Sequence, residues 1–416
     1  MPLPKPSPTR RSRTSRRRAA ALLCGAATLV GVATAATPAA QARTVPSEAA
    51  ANCTPPAPTV TTRKATAVDA AVNHYGDTSG LWSGADSTYS TALPDGRELF
   101  AFSDTLIGKT NPDGTRPTDT PFVNNSFVVA DQSGLHTVIG GTPSDPQANA
   151  TPSDPDAWYW SGDPTTSGPW LEVPYLEFHR TGTGTFDFAW KDNALARFDA
   201  RTLHLVDVTP LPSAANIEWG SYTLQDNGWT YVYGVEDLGA DKYMHVARVR
   251  GTDLRGTWQY YTGSGWSSTE ADSTRLMDGI ANEYSVSRFG TGYVLITHDT
   301  SEFLGPHIYA YFSCSPTGPF VNKTLVYTTP ETGASGSYGN GNVWTYNSHA
   351  HPELSRGNQL LISYNVNSFN FDDIFNDVTI YRPRFIVATF TGAGVPTSGS
   401  TTTFRSTGSE QGSTQR

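Results

Sequence analysis

Asp86 and Asp104 are the residues of this sequence best placed to do chemistry as a pair. They lie in GADSTYSTALPDGRELFAFSDT (84–105), on either side of Pro94-Asp95-Gly96, a turn signal between two runs that read as strands. A three-residue turn there pairs residues whose numbers sum to 190, which sets Asp86 opposite Asp104. Their Cβ atoms would be roughly 4.5–5.5 Å apart, an arrangement that destabilises a strand pair when both groups are charged. No basic residue flanks either one locally. Two close carboxylates push their pKa values apart, so that one can hold a proton while the other is ionised, as acid–base or nucleophilic catalysis requires. Singly, each can cap a turn; together they can also hold Ca²⁺, which takes several oxygen ligands.

Other polar residues fall at comparable places in the chain. Glu218 and Glu283 open strand-like runs, Asn124 and Asn125 open another, and His349, His351 and Glu353 sit in NSHAHPELS. Trp158, Trp160, Trp219, Tyr284, Trp344 and Tyr346 lie beside them. Carboxylates, imidazoles and amides among aromatic rings suit a polyhydroxylated ligand. The plainer reading of most of the aromatic residues is core packing. His349-x-His351 can begin a zinc site, but no third ligand stands at a suitable spacing. There is no Gly-rich phosphate loop and no serine elbow. The expected site has Asp86 and Asp104 as catalytic residues and Asn125, Glu218, Trp219, Glu283, His349 and His351 as substrate-binding residues. It has no metal and no cofactor, a structural Ca²⁺ being the one alternative.

The elements that must position these residues are short runs of Val, Ile, Thr, Tyr, Phe and Trp, punctuated by Gly, Asp and Asn. The runs come in fours and the fours repeat. Anchors at Asp86, Trp158, Glu218, Glu283 and His351 are spaced by 72, 60, 65 and 68 residues. The fifth group lacks a strand, and TVTTRKATAV (59–68) is spare at the start. The chain therefore reads as all-β, a five-bladed β-propeller of four-stranded blades whose ring is closed by the N-terminal strand. The alternatives are a β-sandwich or two small β-domains. In a propeller the starts of first strands line one rim of the central channel, and that rim collects the residues above.

Residues 1–42 read as a secretory signal peptide: a basic start, an apolar run and Ala40-Gln41-Ala42. That segment carries Lys5, six arginines and no acid, so its removal takes the net charge from −9 to −16. Such a balance argues against nucleic acid and anionic membranes as partners. Cys53 and Cys314 would remain as a pair, which in an exported protein implies one disulfide. Residues 43–58 and 391–416 are rich in Pro, Ser, Thr and Gly and read as a flexible segment and a disordered tail around a 59–390 domain.

SCSPTGPF (313–320) is similar to a segment of glycoside hydrolase family 43, the five-bladed propeller glycosidases acting on furanosides and related sugars. GADSTYS…ELFAFSDT and SHAHPELS…LLISYNVNS resemble, more closely, an actinobacterial secreted family that includes endo-D-arabinanases. That resemblance implies a catalytic pair of aspartates in the first blade, which fall by motif on Asp86 and Asp104. In family 43 the acid is a glutamate from a later blade, a place that Glu218 or Glu283 can hold. The expectation is a secreted, extracellular, monomeric glycoside hydrolase acting on a polysaccharide, an arabinan above all. The alternative is a carbohydrate-binding propeller without activity.

Overall fold

The computed structural model describes residues 53–397 apart from residue 185. The signal segment, residues 43–52 and the tail beyond residue 397 lie outside the described residues. The regular structure of the described chain is nearly all antiparallel strand, with five sheets of four or more strands. The first holds β3 (Tyr89–Ala92), β4 (Glu98–Phe102), Ser126–Asp131 and Gly134–Val138. The last holds Val343–Ala350, Gln359–Ser368 and Arg384–Thr391, with β1 (Thr59–Lys64) on its outer edge. β1 pairs antiparallel with Arg384–Thr391, Thr59 opposite Thr391 and Lys64 opposite Ile386.

Burial follows position within each sheet. In the fourth sheet GYVLITH (292–298) is buried at every residue, because neighbouring strands and sheets cover both of its faces. VNKTLVYT (321–328), at the edge, is mostly exposed. Each sheet is tied to the next by hydrogen bonds. Ser161 Oγ donates to the Phe102 carbonyl (3.0 Å), Thr223 Oγ1 to Asp163 (2.8 Å) and Tyr284 Oη to the Gly234 carbonyl (3.1 Å). The Ala350 N–H donates to Ser285 Oγ (2.8 Å), and His349 Nε2 is 3.0 Å from the Thr88 carbonyl, which brings the fifth sheet to the first.

Three expectations need correction. The spare strand ends at Lys64, and Thr66–Thr78 is an α-helix. Val68, Val72 and Tyr75 recur at helical spacing and pack on Trp82, Phe102 and Phe385, and Asp69 in the first turn accepts the Phe385 N–H (2.8 Å). The anchor His351 does not lie on a first strand: that strand is Val343–Ala350, and Pro352–Leu354 just after His351 is a 3₁₀ turn. Nor does the start of the described chain hang free, since Cys53 is joined to Cys314 and the Pro55 and Pro56 carbonyls accept from Asn322.

Candidate active site

The register of the first hairpin is the one read from the turn. Tyr89 pairs with Ala101 and Ala92 with Glu98, and the Asp86 N–H reaches the Asp104 carbonyl at 3.2 Å. The hairpin also continues past the aspartates, as β2 (Trp82–Ala85) paired with β5 (Thr105–Ile107). Between β2 and β3 the strand breaks at Ser87 and Thr88, with φ of 67° and 71°. A left-handed conformation costs a non-glycine residue on the order of 1–3 kcal/mol. It persists here because both residues are buried and tied: Thr88 accepts from His349 through its carbonyl and from Asn365 through Oγ1 (3.0 Å), and Ser87 Oγ lies 2.7 Å from both Ser103 Oγ and Glu283 Oε1.

The first strands of two other sheets are interrupted at a similar place, there with a shift of register, between Trp219 and Tyr222 and between Tyr346 and His349. Asp86 therefore corresponds to Tyr346 in the last sheet, not to His351. Neighbouring first strands run side by side. Tyr346 meets Asp86, His349 meets Thr88 and Tyr89, and His351 meets Ser90.

Both aspartates are held by side-chain donors, three of them from distant parts of the chain and one, Asn124, from the neighbouring strand segment. Asp86 Oδ2 accepts the hydroxyls of Tyr346 (2.7 Å) and Tyr381 (2.9 Å). Asp104 Oδ1 accepts Asn124 Nδ2 (2.9 Å) and Trp160 Nε1 (2.7 Å). Burial pushes both carboxyls up, Asp86 to about 6 and Asp104 to about 8, the latter raised further by the charge of Asp86 and restrained by Asn124 and Trp160. Glu283 is the third carboxyl here. Burial holds it well above the usual range despite the Ser87 hydrogen bond, and its Oε2 lies 3.9 Å from His349 Nδ1. Asp86 Oδ1, Glu283 Oε2 and His349 Nδ1 are buried without a hydrogen-bond partner among the described residues. Burial lowers His349 to about 4, so that ring is neutral.

The remaining expected residues separate. Glu218 is buried, accepts Asn282 Nδ2 (3.1 Å) and is raised to about 7 by burial and by Asp237; its polar contacts run to its own neighbourhood and not to the pair. His351 is fully buried beside Ser90 Oγ (2.5 Å), which also bonds Glu353, further down the same strand direction than the aspartates. Trp219 does not line a rim. It is 0 % exposed, packs on Trp258 and Tyr260 and donates to Glu270 Oε1 (2.8 Å). Asn125 is equally closed: Nδ2 donates to the Ala150 and Tyr159 carbonyls and Oδ1 accepts from the Ala150 N–H and the Tyr175 hydroxyl, so the amide joins two sheets and offers a ligand nothing. Asn193 does the same one sheet on, donating to Pro212 and Ile217. Among the described residues no group of three or more His, Cys, Asp or Glu is arranged to hold a metal, and no helix is long and apolar enough to cross a membrane.

Ser87, Tyr381 and Arg180 went unnoticed in the sequence. Arg180 lies over the Trp158 ring (5.3 Å), and its charge lowers Asp104. Tyr381 falls in TIYRPRFIVATF (379–390), ahead of the strand, and Pro383 is the signal that the strand starts only at Arg384.

The raised carboxyls have a consequence for stability. Asp104 and Glu98 at about 8, with Glu218 and Glu353 at about 7, bind protons in the folded chain that the unfolded chain has released by about pH 5. Their contribution is complete at low pH and is lost as pH rises through 7 to 8. The melting temperature is expected to fall between pH 5 and pH 8.5, with a shallower slope in Asp104→Asn. A flat or rising profile in calorimetry would show that these groups ionise freely in the fold.

A family model described as Domain of unknown function (DUF5005) matches residues 69–389. The chain belongs to the DUF5005 family. No curated protein matches it. Among solved structures, this DUF5005 protein is similar to one from Bacteroides ovatus ATCC 8483 named as a candidate hydrolase, with 23% identity, a TM-score of 0.65, and coverage of 79% of this chain and 90% of that one. The two share a fold. An exo-β-1,3-galactanase from Phanerochaete chrysosporium (TM-score 0.44, 10% identity, 75% of this chain and 61% of that one) is more distant. So is the catalytic domain of a GH62 α-L-arabinofuranosidase from Coprinopsis cinerea (TM-score 0.41, 13% identity, 76% and 93%).

Proposed function

We propose that this DUF5005 protein is a secreted glycoside hydrolase, a five-bladed propeller closed by its N-terminal strand, that cleaves a polysaccharide of the arabinan type. The observation that carries the reading is the pair itself. Asp86 and Asp104 face each other across one hairpin, each fixed by two donors from elsewhere in the chain and each pushed up to a different value. Asp104, the higher, keeps its proton near neutrality and protonates the leaving oxygen; Asp86, the lower, is ionised and activates water or attacks directly. Glu283 stands by as a third carboxyl beside Ser87 and His349. The arabinan assignment rests on the resemblance of the first-blade and last-blade segments, and the name of the Bacteroides ovatus protein is in keeping with a hydrolase. A sugar-binding protein without activity would need the aromatic rim but not a buried carboxylate pair, whose exclusion from water costs folding free energy.

The test is a panel of polysaccharides, plant arabinan, mycobacterial arabinogalactan, xylan and galactan, with products resolved by chromatography and the anomeric outcome followed by proton NMR. Hydrolysis of arabinan linkages is expected. Binding without products would favour the inactive alternative, and products from xylan or galactan alone would move the substrate. Activity on the cleaved member should be bell-shaped in pH, with limbs near 6 and 8 belonging to the pair and a maximum between them. A maximum near pH 4 would remove Asp104 as the proton donor.

A further inference from the structure

Arg116 is 2 % exposed and has no carboxylate among its hydrogen-bond partners. A buried cation is costly unless every donor is used, and here all five N–H groups are. Nε donates to Ser83 Oγ (3.1 Å), Nη2 to the Ser83 and Val378 carbonyls (2.8 Å each), and Nη1 to the Ile380 (3.1 Å) and Ile374 carbonyls. Two segments are thereby bolted together: β2, three residues ahead of Asp86, and the stretch 374–380 that leads into Tyr381. Tyr381 has φ of 74°, and its hydroxyl donates to Asp86 Oδ2 (2.9 Å). The contact between the segments is too close for any side chain at residue 84. A Cβ added at Gly84 would lie 2.4 Å from the Tyr381 carbonyl oxygen and 2.5 Å from Arg116 Nη2. Arg382, next to Tyr381, also donates to the Ser83 carbonyl (2.8 Å) and reaches Asp77 in the helix Thr66–Thr78 (2.9 Å), bracing the same corner from behind.

We infer that Arg116 is a positioning residue of the site: by holding the Ser83 and Ile380 carbonyls in one fork it keeps the Tyr381 hydroxyl on Asp86 and so sets when Asp86 ionises. The inference rests on the acid–base reading of Asp86 and deepens it. The groups facing Asp86 are Asp104 across the hairpin, Tyr346 and Tyr381, and Glu283 with His349 through Ser87. None of these but Tyr381 adjoins the Arg116 fork.

The experiment is a carbon-13 NMR titration of the full chain labelled at aspartate carboxyls, with the Asp86 signal identified by its loss in Asp86→Asn. No substrate is needed. A hydroxyl donating to a carboxylate favours the ionised form, so Tyr381→Phe should raise the Asp86 midpoint by about one pH unit. Arg116→Lys keeps the charge but not the fork, and should raise it in the same direction by a comparable amount. The double variant should shift no further than either alone. A folded Arg116→Lys protein in which Asp86 titrates as in the parent, or shifts that add, would overturn the inference. If Arg116→Lys gives no cooperative melt, Ser83→Ala, which removes the oxygen taking Arg116 Nε, should give a smaller shift of the same sign; an unmoved midpoint there overturns it equally. Normal titrations in a protein that hydrolyses nothing on the panel would count against the hydrolase reading alone.

Discussion

Replacing either Asp86 or Asp104 by asparagine is expected to cut turnover by at least the ~10²–10⁴ typical of a positioned acid or base, while leaving the fold intact. The hydrogen bonds explain why the fold survives. Both donors to Asp86 arrive on Oδ2, and both donors to Asp104 arrive on Oδ1. An amide oxygen in that place keeps them, so asparagine removes the titration and little else. Stability above pH 8 should improve, because a buried charge is no longer required there. The two variants should differ in their pH profiles. Asp104→Asn removes the group raised to about 8, so its residual activity should lose the alkaline limb; Asp86→Asn should lose the acid limb near 6. Turnover assays on whichever polysaccharide the parent cleaves, with circular dichroism for the fold, check both points. Unchanged hydrolysis in both variants would make the pair structural and move the chemistry to Glu283. An alkaline limb that persists in Asp104→Asn would assign the acid role to Glu283 alone.

Deleting residues 53–64 is expected to abolish cooperative folding. All six side chains of β1 are exposed or half-buried, so little core is lost directly. The damage comes from what β1 covers. It pairs six residues of Arg384–Thr391, a strand buried at five of its eight positions, and Thr62 Oγ1 reaches across to the Val326 carbonyl (2.6 Å) in the fourth sheet. Without it the apolar run RFIVATF becomes an open edge, which invites pairing with other chains. The deletion also removes Cys53 and with it a link spanning 261 residues, worth about 5 kcal/mol on the chain-entropy account. Against a total stability of about 5–15 kcal/mol, the loss of strand and link together should be decisive. Cys53→Ser alone should lower the melting temperature without preventing folding, which separates the two contributions. A deletion variant with the parent's melting temperature and no increase in light scattering would show that β1 closes nothing.

Individual strands were legible because each carries its own period and each turn its own residues. NIEWGSYTL, WTYVYGVED and YMHVARVR lie within two residues of the strands Glu218–Asp226, Trp229–Asp237 and Lys242–Arg250. The helix Thr66–Thr78 was missed because β-branched Thr and Val at its start resemble the strand before it, and its apolar face is settled by contact with Trp82 and Phe385. Trp219 was taken for a rim residue because an aromatic beside a carboxylate looks the same in sequence whether it faces a channel or the space between sheets. Its packing on Trp258 and Tyr260 decides that it is buried.

What the sequence by itself determined is local: the Pro94-Asp95-Gly96 turn and the alternation around it set Asp86 against Asp104, and strand periodicity forced an all-β chain. What only the tertiary structure decided is what surrounds that pair. Tyr346 and Tyr381 come to Asp86 from 260 and 295 residues away, Trp160 comes to Asp104 from 56, and Arg116 reaches 258 or more residues to hold Tyr381 in place. Spacings of that length carry no signature in the chain, because they are set by how whole sheets pack. The pKa values of the two aspartates, and so their division into acid and base, depend on that packing.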